Sequence, residues 1–214
     1  DAELTDPSQR PDQLEMYMGR YNSGDYDLFL VRRVTTGDLW GTPIYDSALS
    51  SNNDDDDPAL FDGGRKMLFR SNRGGSFALY QVSRTTIADN WLAPVVIGTS
   101  GHFVQGFDVS PDGLTLYGTD GNGALEVFHR TTVTGDFGAP GTIGSPIYWP
   151  SLTADQLVIY YERNNIIYRA TRSSLVGGFS KEEMVIAGNS PDISEDGTIL
   201  VFENEAGLAQ LACQ

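Results

Sequence analysis

The 214-residue sequence predicts an all-β, five-bladed β-propeller whose last blade is three-stranded or completed by residues outside the chain. Two repeats and the composition carry this expectation. The first repeat is a thirteen-residue pattern: segments 7–18 (PSQRPDQLEMYM), 58–69 (PALFDGGRKMLF), 107–118 (FDVSPDGLTLYG), 150–161 (PSLTADQLVIYY) and 191–202 (PDISEDGTILVF), each with the residue before it. They align without gaps, and their starts are 51, 49, 43 and 41 residues apart. A period of about forty to fifty residues with strand-like content is that of a propeller or repeat array.

The second repeat lies outside the first and keeps its own spacing. Arg33-x6-Trp40-x2-Pro43, Arg84-x6-Trp91-x2-Pro94 and Arg130-x6-Phe137-x2-Pro140 share one register, and Arg172-x6-Phe179 follows it with Glu182 in the proline position. Between the signatures, runs such as 26–31 (YDLFLV) and 166–171 (IIYRAT) alternate as strands with a buried face do. Each unit therefore reads as a short first strand, a second after an acidic turn, a third ending at the arginine and a fourth after the Trp or Phe. Blades are expected at about 1–51, 52–99, 100–144, 145–188 and 189–214, filling the chain as one domain.

Composition agrees. Hydrophobic residues at 40% and aromatic residues at 11% supply one sizeable core. The 24 glycines and 10 prolines fall mostly between strand runs and leave little or no helix. No apolar run reaches the roughly twenty residues of a membrane helix, so membrane insertion is not expected. No leader precedes Asp1, so any export signal is expected to have been removed or never present. With 14 basic against 29 acidic residues, the net charge of −15 repels phosphate backbones and excludes nucleic acid as an expected partner. Cys213 is the sole cysteine, so no intrachain disulfide forms, and it reads as a small apolar residue of the last strand.

The acidic turns have a structural cause. Asp112-Gly113, Asp196-Gly197 and Gly63-Gly64 accept the positive φ of tight hairpin loops, while Asp12-Gln13 and Asp155-Gln156 keep an aspartate that can bond local amides. Repeated five times, this is a folding device, since one active site does not need its carboxylates multiplied by symmetry.

On the segments 110–118 (SPDGLTLYG), 194–202 (SEDGTILVF) and 52–84, the chain resembles the WD40-like PD40 repeats of the TolB-type β-propellers. The resemblance covers nearly the whole chain. It implies a propeller and leaves the activity open, since such propellers include periplasmic interaction proteins and peptidase-associated domains, and no catalytic residue is carried over from it. Unit one departs from the motif with Gln9-Arg10-Pro11 and unit four with Thr153-Ala154-Asp155, and the tryptophan that follows a sialidase-type Asp-box is absent.

Blade closure is the irregular point. The fifth unit stops after segment 207–213, before any Trp/Phe-x2-Pro strand. Residues 1–6 are too few to supply an outer strand and return to the centre at about 3.3 Å per residue. An exposed edge, open to pairing and oligomer formation, is expected there.

Strand alternation puts the first-to-second and third-to-fourth loops on one face, where they are short and repetitive. The second-to-third and blade-to-blade loops lie on the other face and vary, which is where a repeat scaffold usually carries binding residues. Candidates there are Arg20, Arg70, Arg73 and Arg163 with Asp120, Glu162 and Glu203, as alternating charges around the central opening or as interblade salt bridges. Tyr148 and Trp149 open the fourth inner strand and suit stacking on a sugar or side chain, or packing on the next blade. His102 and Phe103 occupy an insertion-like loop, and His129 reads as a surface residue of a third strand.

Residues 52–57 (NNDDDD) are the densest charge run. Clustered carboxylates suit calcium, with Asp54, Asp56 and Asp57 as candidate ligands. The default reading is a solvated acidic loop, since the run lacks the glycine and terminal glutamate of an EF-hand loop and adjacent aspartates cannot all face one ion. No other cofactor is expected.

The leading functional reading is a non-enzymatic exported propeller whose varied face binds a protein, peptide or glycan. One alternative is a five-bladed glycosidase-type hydrolase with axial carboxylates drawn from Asp57, Asp120 and Glu162. Another is an accessory domain that assembles through the incomplete blade. No Ser/His/Asp, Cys/His or phosphate-cradling glycine pattern is present.

Overall fold

The computed structural model describes residues 4–102, 104–144 and 146–213. Among them, nineteen strands form five antiparallel sheets. Blade one holds β1–β4 (Leu4–Gln9, Glu15–Asn22, Asp25–Arg32, Ile44–Tyr45), and blade two β5–β8 (Asp55–Phe61, Lys66–Ser71, Ala78–Ser83, Val95–Ile97). Blade three holds β9–β12 (Gln105–Val109, Thr115–Thr119, Leu125–His129, Gly141–Gly144), and blade four β13–β16 (Tyr148–Leu152, Val158–Glu162, Ile166–Thr171, Ser180–Ala187). Blade five has three strands, β17–β19 (Asn189–Ile193, Ile199–Asn204, Gly207–Ala212). The innermost strands β1, β5, β9, β13 and β17 touch in that cycle and β17 returns to β1, closing the five-bladed propeller. A single 3-10 turn, Asp62–Gly64, is the helical content of the described residues.

The two sequence signatures meet in space. The Nε of Arg33, Arg84, Arg130 and Arg172 donates to the carbonyl of Gln13, Gly64, Gly113 and Gln156, at the tip of each blade's acidic turn. The same guanidinium lies over the ring of Trp40, Trp91, Phe137 or Phe179 at 4.1, 4.3, 4.5 and 4.6 Å. Each arginine thus ties the turn to the third-to-fourth loop by a hydrogen bond and a cation–π contact, which explains the invariant spacing. In blade five this position is Cys213: its amide donates to the Thr198 carbonyl as the Arg172 amide donates to Leu157. Blade five therefore has a thiol where the others have the tie.

Apolar side chains from neighbouring blades interlock at every seam. Phe61, Leu68, Leu116, Phe128 and Phe137 join blades two and three, and Met16, Met18, Phe29, Val31 and Val201 join blade one to blade five. The inner strand β5 is buried along its whole length, and the run 26–31 read as alternating is buried from Asp27 to Val31.

Around the axis the five inner strands share one irregularity. Their pairing with the second strand skips two residues each time, and the first of the two has positive φ: Asp6 at 52°, Asp57 at 49°, Gly106 at 47°, Trp149 at 47° and Ser190 at 45°. Side chains two residues later then bond the next blade's backbone. Leu60 N donates to Ser8 Oγ at 2.8 Å, Leu152 N to Asp108 Oδ2 at 2.7 Å, Ile193 N to Ser151 Oγ at 3.0 Å and Gln9 N to Asp192 Oδ2 at 2.9 Å. The fifth position is Ala59, which has no acceptor, and Val109 N turns instead to Asp108 Oδ1 at 2.7 Å. Ala59→Ser restores the acceptor, and it is expected to add about 0.5–1.5 kcal/mol, visible as a Tm rise of a few degrees. A neutral or lower Tm would mean that the Asp108 contact already satisfies this seam.

Two expectations are corrected here. Residues 55–57 are not a solvated loop: Asp55, Asp56 and Asp57 lie in β5 at 0%, 6% and 4% exposure. Burial is possible because each carboxylate has partners, Ser51 and Arg73 for Asp55, Arg70 for Asp56, and the Gly106 amide for Asp57. The first inner strand begins at Leu4, not after Asp6, because the bulge at Asp6 and Pro7 lets pairing resume on both sides.

Candidate functional site

The bulges turn their first residues toward the varied-loop face and build a mouth over the axis. A cavity of about 190 Å³ is lined there by Asp6, Asp56, Asp57, Arg70 and the rings of Tyr26, Tyr148 and Trp149, with Thr5, Gln105, Gly106 and Thr119 completing the wall. Beneath it the axis narrows to a space of about 20 Å³ between the five bulges. That admits about one water, so the channel is closed below the mouth.

Two glycines set the aromatic wall. Trp149 packs over Gly106, where a Cβ would come within 2.9 Å of the indole, and Tyr148 packs over Gly123, where it would come within 2.7 Å of the phenol ring. The two rings are 5.9 Å apart. Packing on blade three and lining the cavity are therefore the same arrangement. Trp149 holds φ of 47° ahead of Pro150, a conformation that costs a bulky residue about 1–3 kcal/mol and that concentrates at functional sites.

The carboxylates are unequal. Asp56 pairs with Arg70 through two bonds, at 2.8 and 2.6 Å, and Arg70 Nε lies 3.3 Å from Asp57. Burial and the charges of Asp57 and Asp54 push Asp56 up to about 6 against the pull of Arg70. Burial, then the Asp57 and Asp56 carboxylates, raise Asp6 well above the usual carboxylate range. Asp108 and Asp192, whose only outlook is the small axial space, are also raised, Asp108 to about 7, chiefly by burial.

Of the residues proposed from sequence, Arg70, Asp56, Asp57, Tyr148 and Trp149 converge on this mouth. The rest do not form a ring of alternating charge. Arg20 lies over Phe29, Arg73 is tied to Asp55 and the Leu49 carbonyl, and Arg163 pairs with Glu182 at 2.6 Å. Asp120 closes its own turn on the Asn122 and Ala124 amides. Glu162 accepts from the Asn165 amide, and Glu203 is buried near the end of β18. His102 stands 3.6 Å from Glu126 with its ring against Phe128, and Phe103 lies outside the described residues. Asp54 faces away from Asp57, accepting from the Tyr26 amide and Asn72. Among the described residues, no three His, Cys, Asp or Glu side chains converge as a metal site. Asp6 and Tyr26 were missed, although Asp6-Pro7 and Asp57-Pro58 repeat one dipeptide at equivalent positions.

The sequence matches no protein-family model and no curated protein. In structure the chain is similar to TolB from Acinetobacter baumannii, at 17% identity and TM-score 0.60, over 99% of this chain and 52% of that one. It is also similar to a GH62 hydrolase in complex with xylotriose, at 12% identity and TM-score 0.63, over 94% and 85% of the two chains. A nidogen/laminin complex gives 11% identity and TM-score 0.57 over 98% and 75%. The chain spans about half the length of the Acinetobacter TolB. At such identities the likeness is one of fold, and with five four- or three-stranded sheets closed about an axis, that fold is a five-bladed β-propeller.

Proposed function

We propose that the chain is an exported, non-enzymatic binding propeller that receives one protruding group of a protein or peptide partner in the axial mouth. The supporting observation is the combination of three aromatic rings with the Asp6–Asp57 pair around about 190 Å³. That volume is below the roughly 300–1,000 Å³ of sites for drug-sized ligands, so it suits a single side chain or chain end. Aromatic faces beside the clustered carboxyl groups of Asp6, Asp56 and Asp57 favour an amine or guanidinium.

A hydrolase acting through axial carboxylates has the fold likeness to the GH62 enzyme behind it. It has the nearly filled axis against it, since there is no room below the mouth for a sugar and an attacking water. Arrays of short peptides carrying lysine, arginine or free amino termini test the binding reading. Trp149→Ala and Asp57→Asn are each expected to weaken the best binders by at least about tenfold, the loss of one charge-assisted contact. Binding unchanged in both variants, or Asp57-dependent cleavage of xylo-oligosaccharides, would overturn it.

A further inference from the structure

On the binding reading proposed above, the walls of the mouth also discriminate among cations. The carboxyl acceptors there are largely engaged. Asp56 gives both oxygens to Arg70, at 2.8 and 2.6 Å, Asp57 Oδ2 accepts from the Gly106 amide at 3.0 Å, and Asp6 Oδ1 accepts from the Ser190 hydroxyl at 3.2 Å. A lysine ammonium or an arginine guanidinium brings several N–H donors, and each one taken out of water without an acceptor costs its desolvation. Arg70 already holds the forked pairing with Asp56 that an incoming guanidinium would seek.

What the mouth offers instead is π surface. Tyr26 of β3 borders it from blade one, and Tyr148 and Trp149 of β13 border it from blade four, which is not adjacent to blade one in the ring. These rings are held in place: Tyr26 meets Tyr21 edge to face at 5.5 Å, and Tyr148 and Trp149 are seated on Gly123 and Gly106. Fixed rings with carboxyl groups among them attract a cation that has no N–H to satisfy, through the ring quadrupoles and the field of the acidic groups. We propose that the mouth is an aromatic cage for the di- or trimethylated ammonium of a modified lysine on the protein partner. Methylation keeps the charge of the lysine while removing donors that the mouth is poorly equipped to meet. Its volume of about 190 Å³ holds such a head with part of the stem. Phosphocholine carries the same head but sets a phosphate beside it, which the −15 charge of the chain opposes.

Acetyl-trimethyllysine amide, its unmethylated counterpart and the neutral tert-butyl isostere are each titrated against the protein by NMR chemical shift. The trimethylated form is expected to bind saturably and at least about tenfold more tightly than either of the others. Trp149→Leu and Tyr26→Leu keep apolar bulk but remove a π face, so each should weaken the trimethylated form by at least about tenfold and leave the neutral isostere unchanged. Circular dichroism checks the fold, and if Trp149→Leu does not fold, Tyr26→Leu decides. Unmethylated lysine binding as tightly as the trimethylated form overturns the cage and leaves the mouth reading standing, whereas no binding by either cation overturns both. Equal binding by the neutral isostere also overturns the cage, as does undiminished binding in a folded leucine variant. So does tighter binding to phosphatidylcholine vesicles than to the trimethylated lysine, since a lipid headgroup would then be the occupant.

Discussion

Arg84→Met is expected to cost about 3 kcal/mol of folding stability, near the low end for a broken buried ion pair, and to lower Tm by roughly 6–12 °C. Arg84 Nη2 meets Glu15 Oε1 at 2.5 Å, and both side chains are 2% exposed. Its Nε holds the Gly64 carbonyl at 2.8 Å and its plane covers Trp91, whose Nε1 in turn bonds Tyr17 Oη. One side chain thus ties the turn of blade two, the aromatic loop of blade two and the second strand of blade one. Methionine keeps much of the volume but leaves Glu15 buried with a smaller set of partners. Arg32 at 2.9 Å and Arg10 at 3.6 Å still reach that carboxylate, which is why the loss is placed near 3 and not 5 kcal/mol. Urea unfolding of Arg84→Met and of Arg84→Met with Glu15→Gln measures this, and the double variant should recover part of the loss because it removes the stranded charge. A single variant within 1 kcal/mol of wild type would sink the idea that these arginines hold the ring together.

Stability should peak in mild acid. Asp108 titrates near 7 in the fold, raised mainly by burial against the help of the Leu152 and Val109 amides, whereas an unfolded aspartate titrates near 3.9. Between about pH 4 and 7 the folded chain keeps a proton that the unfolded chain has lost, so stability falls as pH rises through this window. For Asp108 alone the span amounts to at most about 4 kcal/mol. Asp6 and Asp192 act in the same direction. Below that window the sign reverses: Asp112, held down by the Ser110 hydroxyl and the Leu114 amide, and Asp155, held down by the Leu157 amide and Thr153 hydroxyl, lose their contribution as they protonate. The expected profile is a Tm maximum near pH 4–5, with a decline toward pH 8 that Asp108→Asn makes shallower. A wild-type Tm that climbs from pH 5 to pH 8 would contradict it.

Much of this was legible in the chain because the repeat reports on contacts made at every seam. The arginine register repeats within the sequence because each guanidinium reaches a turn carbonyl and a ring at once. The substitution of Cys213 could have been read too, because it follows Pro191 by 22 residues as Arg172 follows Pro150. What could not be read was the fate of residues 55–57. Four adjacent aspartates look solvated until partners distant in sequence, Arg70, Arg73 and the Gly106 amide, are brought alongside them.

Local pattern, then, determined the number of blades and the turns, because turn chemistry and the period of buried residues are properties of short segments. Only closure of the ring decided which side chains share the axis. Asp6 and Asp57 are 51 residues apart in the chain and become partners because five bulges turn inward together. The raised pKa of Asp6 follows from the desolvation that only the closed ring imposes.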